Sequence, residues 1–239
     1  MAFVQATSLG QSVSSASIAT PAINTTTGNF LAFWLNTGSS TTISSVTDTF
    51  SNTWTALDAG RAVTGGKVFC YYAKNITGGS NHVVTVTPNA SIGSSIGLVE
   101  FNGISTTSPI DNSVAFAEST RVSSHIGATT TQNIVSSAAN CDILVLSGDS
   151  AGYDYGGNTT TYTGSGFYTS PAGSQVGNNA GFRTGCAVYA TSQASGTNTP
   201  TWATGGPGLS VTSTGFMLSL APSGGGGTSA RSLLILGIG

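Results

Sequence analysis

Short apolar runs broken by glycine-rich turns recur along the whole chain, and they set the fold class. Phe30–Leu35, Val68–Ala73, Val83–Thr87 and Gly97–Phe101 lie in the first part. Asp142–Leu146, Gly185–Ala190 and Gly215–Leu220 lie in the second. Each is strand-length and rich in β-branched or aromatic residues, and period-2 alternation of apolar side chains marks several of them as strands. TGGK, TGGS, SPIDN and TGGPG separate them and supply turn chemistry. Almost nowhere do Leu, Glu, Lys and Ala gather at helical spacing, so the chain is expected to be all-β.

The polar surface of such a fold must come from unusual sources. Only 6% of the 239 residues are charged, so Ser, Thr, Asn and Gly have to face water. Six cations, Arg61, Lys67, Lys74, Arg121, Arg183 and Arg231, stand singly, and the formal net charge is −2. That distribution offers no basic footprint for a phosphate backbone and argues against nucleic-acid binding. No stretch approaches the roughly 20 apolar residues of a membrane-spanning helix. The N-terminus MAFVQATSLGQ has no basic region followed by an apolar run and does not read as a secretory signal, so either a signal has been removed and replaced by Met or, as the leading expectation, the chain is made in a host cytoplasm without a signal peptide. Cys70, Cys141 and Cys186 are an odd number without paired spacing. Buried thiols on strands are the expectation, with one disulfide and one free thiol as the alternative.

The chain also repeats itself in order. FLAFWL (30–35) answers to ILVLSG (143–148), TWTAL (53–57) to TYTGS (161–165), and VFCYYAK (68–74) to CAVYATS (186–192). VVTVTP (83–88) answers to TPTWAT (199–204), GLVEFNG (97–103) to FMLSLAP (216–222), and FVQAT (3–7) to VAFAE (114–118). Between the halves lies only NGISTTSPIDN. We therefore expect one domain over residues 1–222, with pseudo-repeats of about 3–104 and 114–222. Its form is a two-sheet antiparallel β-sandwich of jelly-roll type whose halves interleave. Residues 223–239 form a separate tail.

Several segments together resemble a known domain type. These are NFLAFWL, the turn Asp48-Thr-Phe-Ser-Asn-Thr-Trp-Thr, YYAKNITGG (71–79), the TVT of residues 85–87, VEFNGI (99–104), Pro109-Ile-Asp111 and Leu218-Ser-Leu-Ala-Pro222. The pattern resembles the Thr/Ser/Gly-rich β-sandwich domain common in phage structural proteins and in secreted surface proteins of bacteria. It covers roughly residues 3–222. The resemblance implies assembly, decoration or adhesion, and it brings no catalytic residues and no cofactor.

Catalytic constellations are weak in the sequence itself. A nucleophilic triad needs a base beside a nucleophile and a group that orients the base. His82 and His125 are the two histidines, neither accompanied by a G-x-S-x-G elbow, and surface or strand-edge positions are expected for both. Glycoside hydrolysis needs two facing carboxylates from Asp48, Asp58, Glu100, Asp111, Glu118, Asp142, Asp149 and Asp154. Glu100 should face opposite to Val99 and Phe101, and Asp48 and Asp111 read as turn residues bonding local backbone. No C-x-x-C, H-x-x-x-H or calcium loop is present, so no metal is expected.

Two segments carry the functional expectation. Residues 148–183 combine Tyr153, Tyr155, Tyr162, Phe167 and Tyr168 with Gly, Ser and Asn, the mixture that binding loops use. They would contact either a ligand such as a host-surface glycan or a neighbouring subunit. The tail GGGGTSARSLLILGIG places Arg231, Leu233, Leu234, Ile235, Leu236 and Ile238 after a four-glycine tether. It is too short to span a bilayer as a helix, and left free it would invite aggregation. Docking as an added strand or apolar plug, into its own sandwich or a neighbour, resolves this.

The expected function is thus a non-enzymatic structural protein of a phage-like virion, a capsid decoration or head/tail adaptor. Its partners would be other virion subunits and copies of itself. A carbohydrate- or host-surface-binding adhesin using loop 148–183 is the alternative, and a glycoside hydrolase the remote one. Trp34, Trp54 and Trp202 are expected in the core or on a sheet face rather than as sugar platforms.

Overall fold

The computed structural model describes residues 1–63, 65–122, 128–131, 133–149, 163–164, 185–199, 201–204 and 210–224. Among them there is no helix. The first half holds β1 (Ala2–Ser15), β2 (Ile18–Ala19), β3 (Phe30–Gly38), β4 (Ile43–Asp48), β5 (Thr55–Ala56), β6 (Arg61–Val63), β7 (Gly66–Ala73), β8 (Val84–Pro88) and β9 (Ile92–Asn102). The second holds β10 (Ile110–Val122), β11 (Ala128–Thr131), β12 (Ile134–Ser136), β13 (Cys141–Asp149), β14 (Thr163–Gly164), β15 (Gly185–Gln193), β16 (Gly196–Asn198), β17 (Thr201–Thr204) and β18 (Ser210–Leu220).

Each half builds one large antiparallel sheet. The first runs β1-β9-β3-β7-β5, with β6 also on β7, and the second runs β10-β18-β13-β15. Smaller sheets, β2-β8-β4 in the first half and β12-β16 and β11-β17-β14 in the second, complete the set. Every strand pairing among the described residues joins two strands of the same half. The interleaving expected of a jelly roll does not occur in these pairings. Closing a short connection costs less chain entropy than bringing strands together from opposite ends of the sequence.

The arrangement is layered more deeply than the two sheets expected. Alternate residues of the first large sheet (Phe30, Ala32, Trp34, Val68, Cys70, Val99, Phe101) meet Leu144, Leu146, Ala187, Phe216, Leu218 and Leu220 of the second in one buried cluster. This is the seam between the large sheets. The other face of the first sheet presents Leu31, Phe33, Leu35, Phe69, Ile96 and Leu98 to Ile18, Val84 and Val86 of the small β2-β8-β4 sheet. On the other side, Ile143, Val145, Ala190, Met217 and Phe116 pack with Ile134 of β12. Both large sheets are therefore covered on both faces, and β3 is buried from Phe30 to Thr37. Two-sided burial explains why FLAFWL and CDILVL are continuous apolar runs, where a half-exposed strand would alternate strictly.

Trp34 fixes the spacing at the seam. A Cβ on Gly97 of its own sheet would stand 2.5 Å from the indole nitrogen, and one on Gly185 of the opposing sheet 2.3 Å from the ring. Two glycines thus leave the space that one buried indole fills. Further contacts cross the halves. Phe3 stacks on Tyr189 at 4.9 Å. Arg61 lies over the Phe216 ring at 5.5 Å and donates from Nε to Thr214 Oγ1 at 3.3 Å. Cys70 and Cys141 are buried free thiols, and burial pushes the Cys70 thiol well above its ordinary range.

Truncating the indole should be among the costliest single changes. Trp34→Ala is expected to lower unfolding stability by about 3–5 kcal/mol in denaturant titration, and Gly185→Val should destabilise by overpacking.

Candidate functional site

The aromatic loop residues Tyr153, Tyr155, Tyr162, Phe167 and Tyr168 lie outside the described residues, as do His125, Asp154 and the tail residues Arg231, Leu233, Leu234, Ile235, Leu236 and Ile238. Their anchoring points are described. Gly148 at the end of β13 pairs with Gly185 at the start of β15, so the intervening segment leaves and returns at adjacent positions. The tail leaves from Gly224, after Ser223 N–H donates to Gly103 O at 2.7 Å.

Within the described residues, the densest polar constellation surrounds loop 23–29, and it begins with a turn. Asp48 ends β4. Its Oδ1 accepts the N–H groups of Phe50 (2.8 Å) and Asn52 (3.1 Å), as expected of a turn residue. Oδ2 accepts the indole N–H of Trp54 at 2.8 Å. The Asp…Asn-Thr-Trp motif is therefore one hydrogen-bonded unit. Burial opposes ionisation of Asp48, but the bonds from Asn52, Trp54 and Phe50 outweigh it and hold the carboxyl below its ordinary value.

His82 sits against this turn and is fully buried, not at the surface. Its Nδ1 shares a 2.7 Å hydrogen bond with Thr25 Oγ1. Its Nε2 lies 3.4 Å from Asp48 Oδ2, outside hydrogen-bond geometry and without another partner. Phe50 meets the ring edge-on at 5.0 Å. The backbone explains the burial. His82 and Ile23 exchange both N–H···O bonds, and the TGG turn closes over the pair. A Cβ on Gly78 would stand 2.6–2.7 Å from backbone atoms of Thr25, Thr26 and Thr27, and one on Gly79 2.6 Å from the Phe50 ring. Nothing larger than glycine fits there, which is the physical content of the TGG motif.

The order Asp48–His82–Thr25 mimics the wiring of a nucleophilic triad. The histidine is 0% exposed, and Thr25 is tied to the glycine turn through its N–H to Gly79 O (2.9 Å). The arrangement cross-links three loops rather than presenting a hydroxyl to a substrate.

Glu100 holds the other end of loop 23–29. It faces away from Val99 and Phe101, as alternation requires, and is fully buried. Oε1 accepts from Thr26 N–H (2.9 Å) and Asn29 Nδ2 (2.7 Å), and Oε2 accepts from Gln5 Nε2. In the second half, Ser219 holds the ladder position opposite Ile143 that Glu100 holds opposite Leu31. It too is part of a polar cluster: Ser219 Oγ donates to Asp111 Oδ2 at 3.1 Å and meets Ser136 Oγ at 2.9 Å. Asp111 also accepts from Ser137, both N–H (2.8 Å) and hydroxyl. It therefore ties β10 to the residue after β12 and does not cap its own turn.

Asp142 differs from these acids. It is fully buried, Oδ1 accepts from Ser192 N–H at 2.9 Å, and Oδ2 has no hydrogen-bond partner. Burial raises its carboxyl, against the smaller pull of Ser192 N–H and the Met1 ammonium. Asp58 accepts from Gly60 N–H and pairs with Arg61 at 3.3 Å. Trp34 lies in the seam core, and Trp54 packs against Phe33 on the other face of the first sheet. The Trp202 backbone pairs with Thr130. Among the described residues no group of three or more His, Cys, Asp or Glu side chains is placed to hold a metal ion. No helix there is long and apolar enough to cross a membrane. No protein-family model, curated protein or solved structure matches the chain.

Sequence reasoning placed His82 at a surface or strand edge and passed over Thr25 and Gln5. The Thr25–His82 and Gln5–Glu100 pairs are far apart in the chain and leave no local spacing signal. The TGG motif was the available clue.

Asp48 and Asp142 should act on stability with opposite sign. The Asp48 carboxyl is depressed in the fold. Its contribution is complete above the ordinary carboxylate value of 3.8 and is lost as pH falls through the folded value. Asp48→Asn should therefore destabilise at neutral pH by about 1–3 kcal/mol and flatten the acid limb of the stability curve. The Asp142 carboxyl is raised, so its stability is complete below 3.8 and declines as pH rises through the folded value. The stability of Asp142→Asn relative to wild type should rise between about pH 4 and pH 7 in thermal melts.

Proposed function

We propose that this chain is a non-enzymatic structural protein of a phage-like virion, a capsid decoration or head/tail adaptor. The observation that carries the reading is how the polar groups are spent. Asp48, His82, Thr25 and Glu100, the residues best suited to chemistry, are buried and bonded to loops 23–29, 48–54 and 77–82. Such cross-links make a rigid block from a chain with little charge. Rigidity and an uncharged Ser/Thr surface suit a subunit packed among others. The resemblance of residues 3–222 to phage structural domains supports the same reading.

The two large sheets support an internal repeat within this block. They share one strand order, with β1, β9, β3 and β7 matched by β10, β18, β13 and β15. Their edge strands break register at matching places, between Phe3 and Gln5 and between Ile110 and Asn112. The tail, released at Gly224, docks on a neighbouring subunit in this reading. A chain truncated after residue 227 is expected to keep its circular dichroism spectrum and melting temperature but to be lost from purified particles. Normal incorporation would overturn the tail's role, and absence of the intact protein from particles would overturn the virion reading.

An adhesin is the second reading, favoured by the Gly148–Gly185 pairing, which brings together the two points where the aromatic segment leaves and rejoins the sheet. Changing Tyr153, Tyr155 and Tyr168 together to Ala should then abolish attachment to host cells or glycans without altering incorporation.

A further inference from the structure

The seam is apolar along most of its length, but near the glycine-flanked indole it carries polar atoms without protein partners. Trp34 and Ser95 are both 0% exposed, and neither the indole Nε1 nor the Ser95 Oγ has a hydrogen-bond partner. The two belong to one patch. Trp34 stands opposite Gly97 in the β3–β9 ladder, and its Nε1 lies over Gly97, 2.5 Å from where a Cβ would be. Ser95 is the next residue of β9 on the same face, about 7 Å along the strand. Asn36, opposite Ser95 and next after Trp34 on the seam face of β3, brings its carboxamide to the same patch. Opposite, Gly148 of the second sheet packs closely against this patch: a Cβ there would stand 2.5 Å from the Val68 side chain and 3.3 Å from the Asn36 carboxamide carbon.

We propose that the seam holds one internal water molecule that accepts from Trp34 Nε1–H and bridges to the Ser95 hydroxyl, with Asn36 as its third neighbour. The chemistry selects water. An indole N–H is only a donor and a hydroxyl serves as either, so the bridging group must accept from one and bond to the other within about 3 Å of each. Buried waters are held by two to four such groups, and a buried polar atom left unsatisfied is costly. Placed here, the water satisfies two buried polar atoms of the seam, and it couples β3 to β9 through side chains as well as the ladder.

Two measurements on the intact chain test this. In wild-type protein, the Trp34 indole proton should show a cross-peak to a long-lived bound water in water-selective NMR. Ser95→Ala should abolish that cross-peak and lower the melting temperature by roughly 2–4 °C, as expected for loss of a satisfied bridge in a chain of this size. Absence of the cross-peak in wild type, with a Ser95→Ala melting temperature equal to or above wild type, would overturn the proposal. Removing an unsatisfied hydroxyl relieves the fold, whereas removing a bridging one weakens it.

Discussion

Two-sided burial of the large sheets is the constraint on which the rest depends. Each sheet must satisfy a core on both faces, so its central strands cannot alternate polar and apolar residues. β3 and β13 accordingly carry continuous apolar runs, and alternate side chains go to different clusters: Trp34 to the seam and Phe33 to the outer layer, Leu144 to the seam and Val145 to the other side. Burial on both faces roughly doubles the apolar area removed from water per strand. That is how a chain with so few charged residues orders many Ser- and Thr-rich connections.

The outer layers follow from that constraint. A large sheet with an apolar outer face needs a cover, and the short strands β2, β4 and β8 provide one by turning Ile18, Val84 and Val86 inward while Thr85 and Thr87 remain half-exposed. Strands this short cannot hold themselves in place, so the loops around them are tied by buried side chains. Asp48 fastens the turn after β4, His82 fastens the approach to β8, and Glu100 fastens the approach to β3 from the opposite direction. The buried polar side chains Asp48, His82 and Glu100 are the fixings of the cover.

Much of this was legible in the sequence, and the failures have physical causes. The strands could be found because apolar runs between glycine turns have few alternatives. The Asp48 turn and the outward-opposed Glu100 could be read because both are local. Layering could not, because a continuous apolar run has no period and is silent about which residue faces which layer. For the same reason, matching FLAFWL with ILVLSG aligned Phe30 with Ile143. The ladders put Leu31 and Ile143 in equivalent places, each opposite the alanine at position 73 or 190. A slip of one residue exchanges the faces of every side chain. The buried His82 was missed because its partners, Thr25 and Asp48, come from separate turns.

The central claim is that both halves share one core through the seam and behave as a single cooperative unit. Native-state hydrogen exchange addresses it most directly. The amides of Leu31–Leu35 and Ile143–Leu146 should exchange only through the same global opening, with equal free energies and equal dependence on denaturant. Exchange of one set at a clearly lower free energy, with the other still protected, would contradict the shared core.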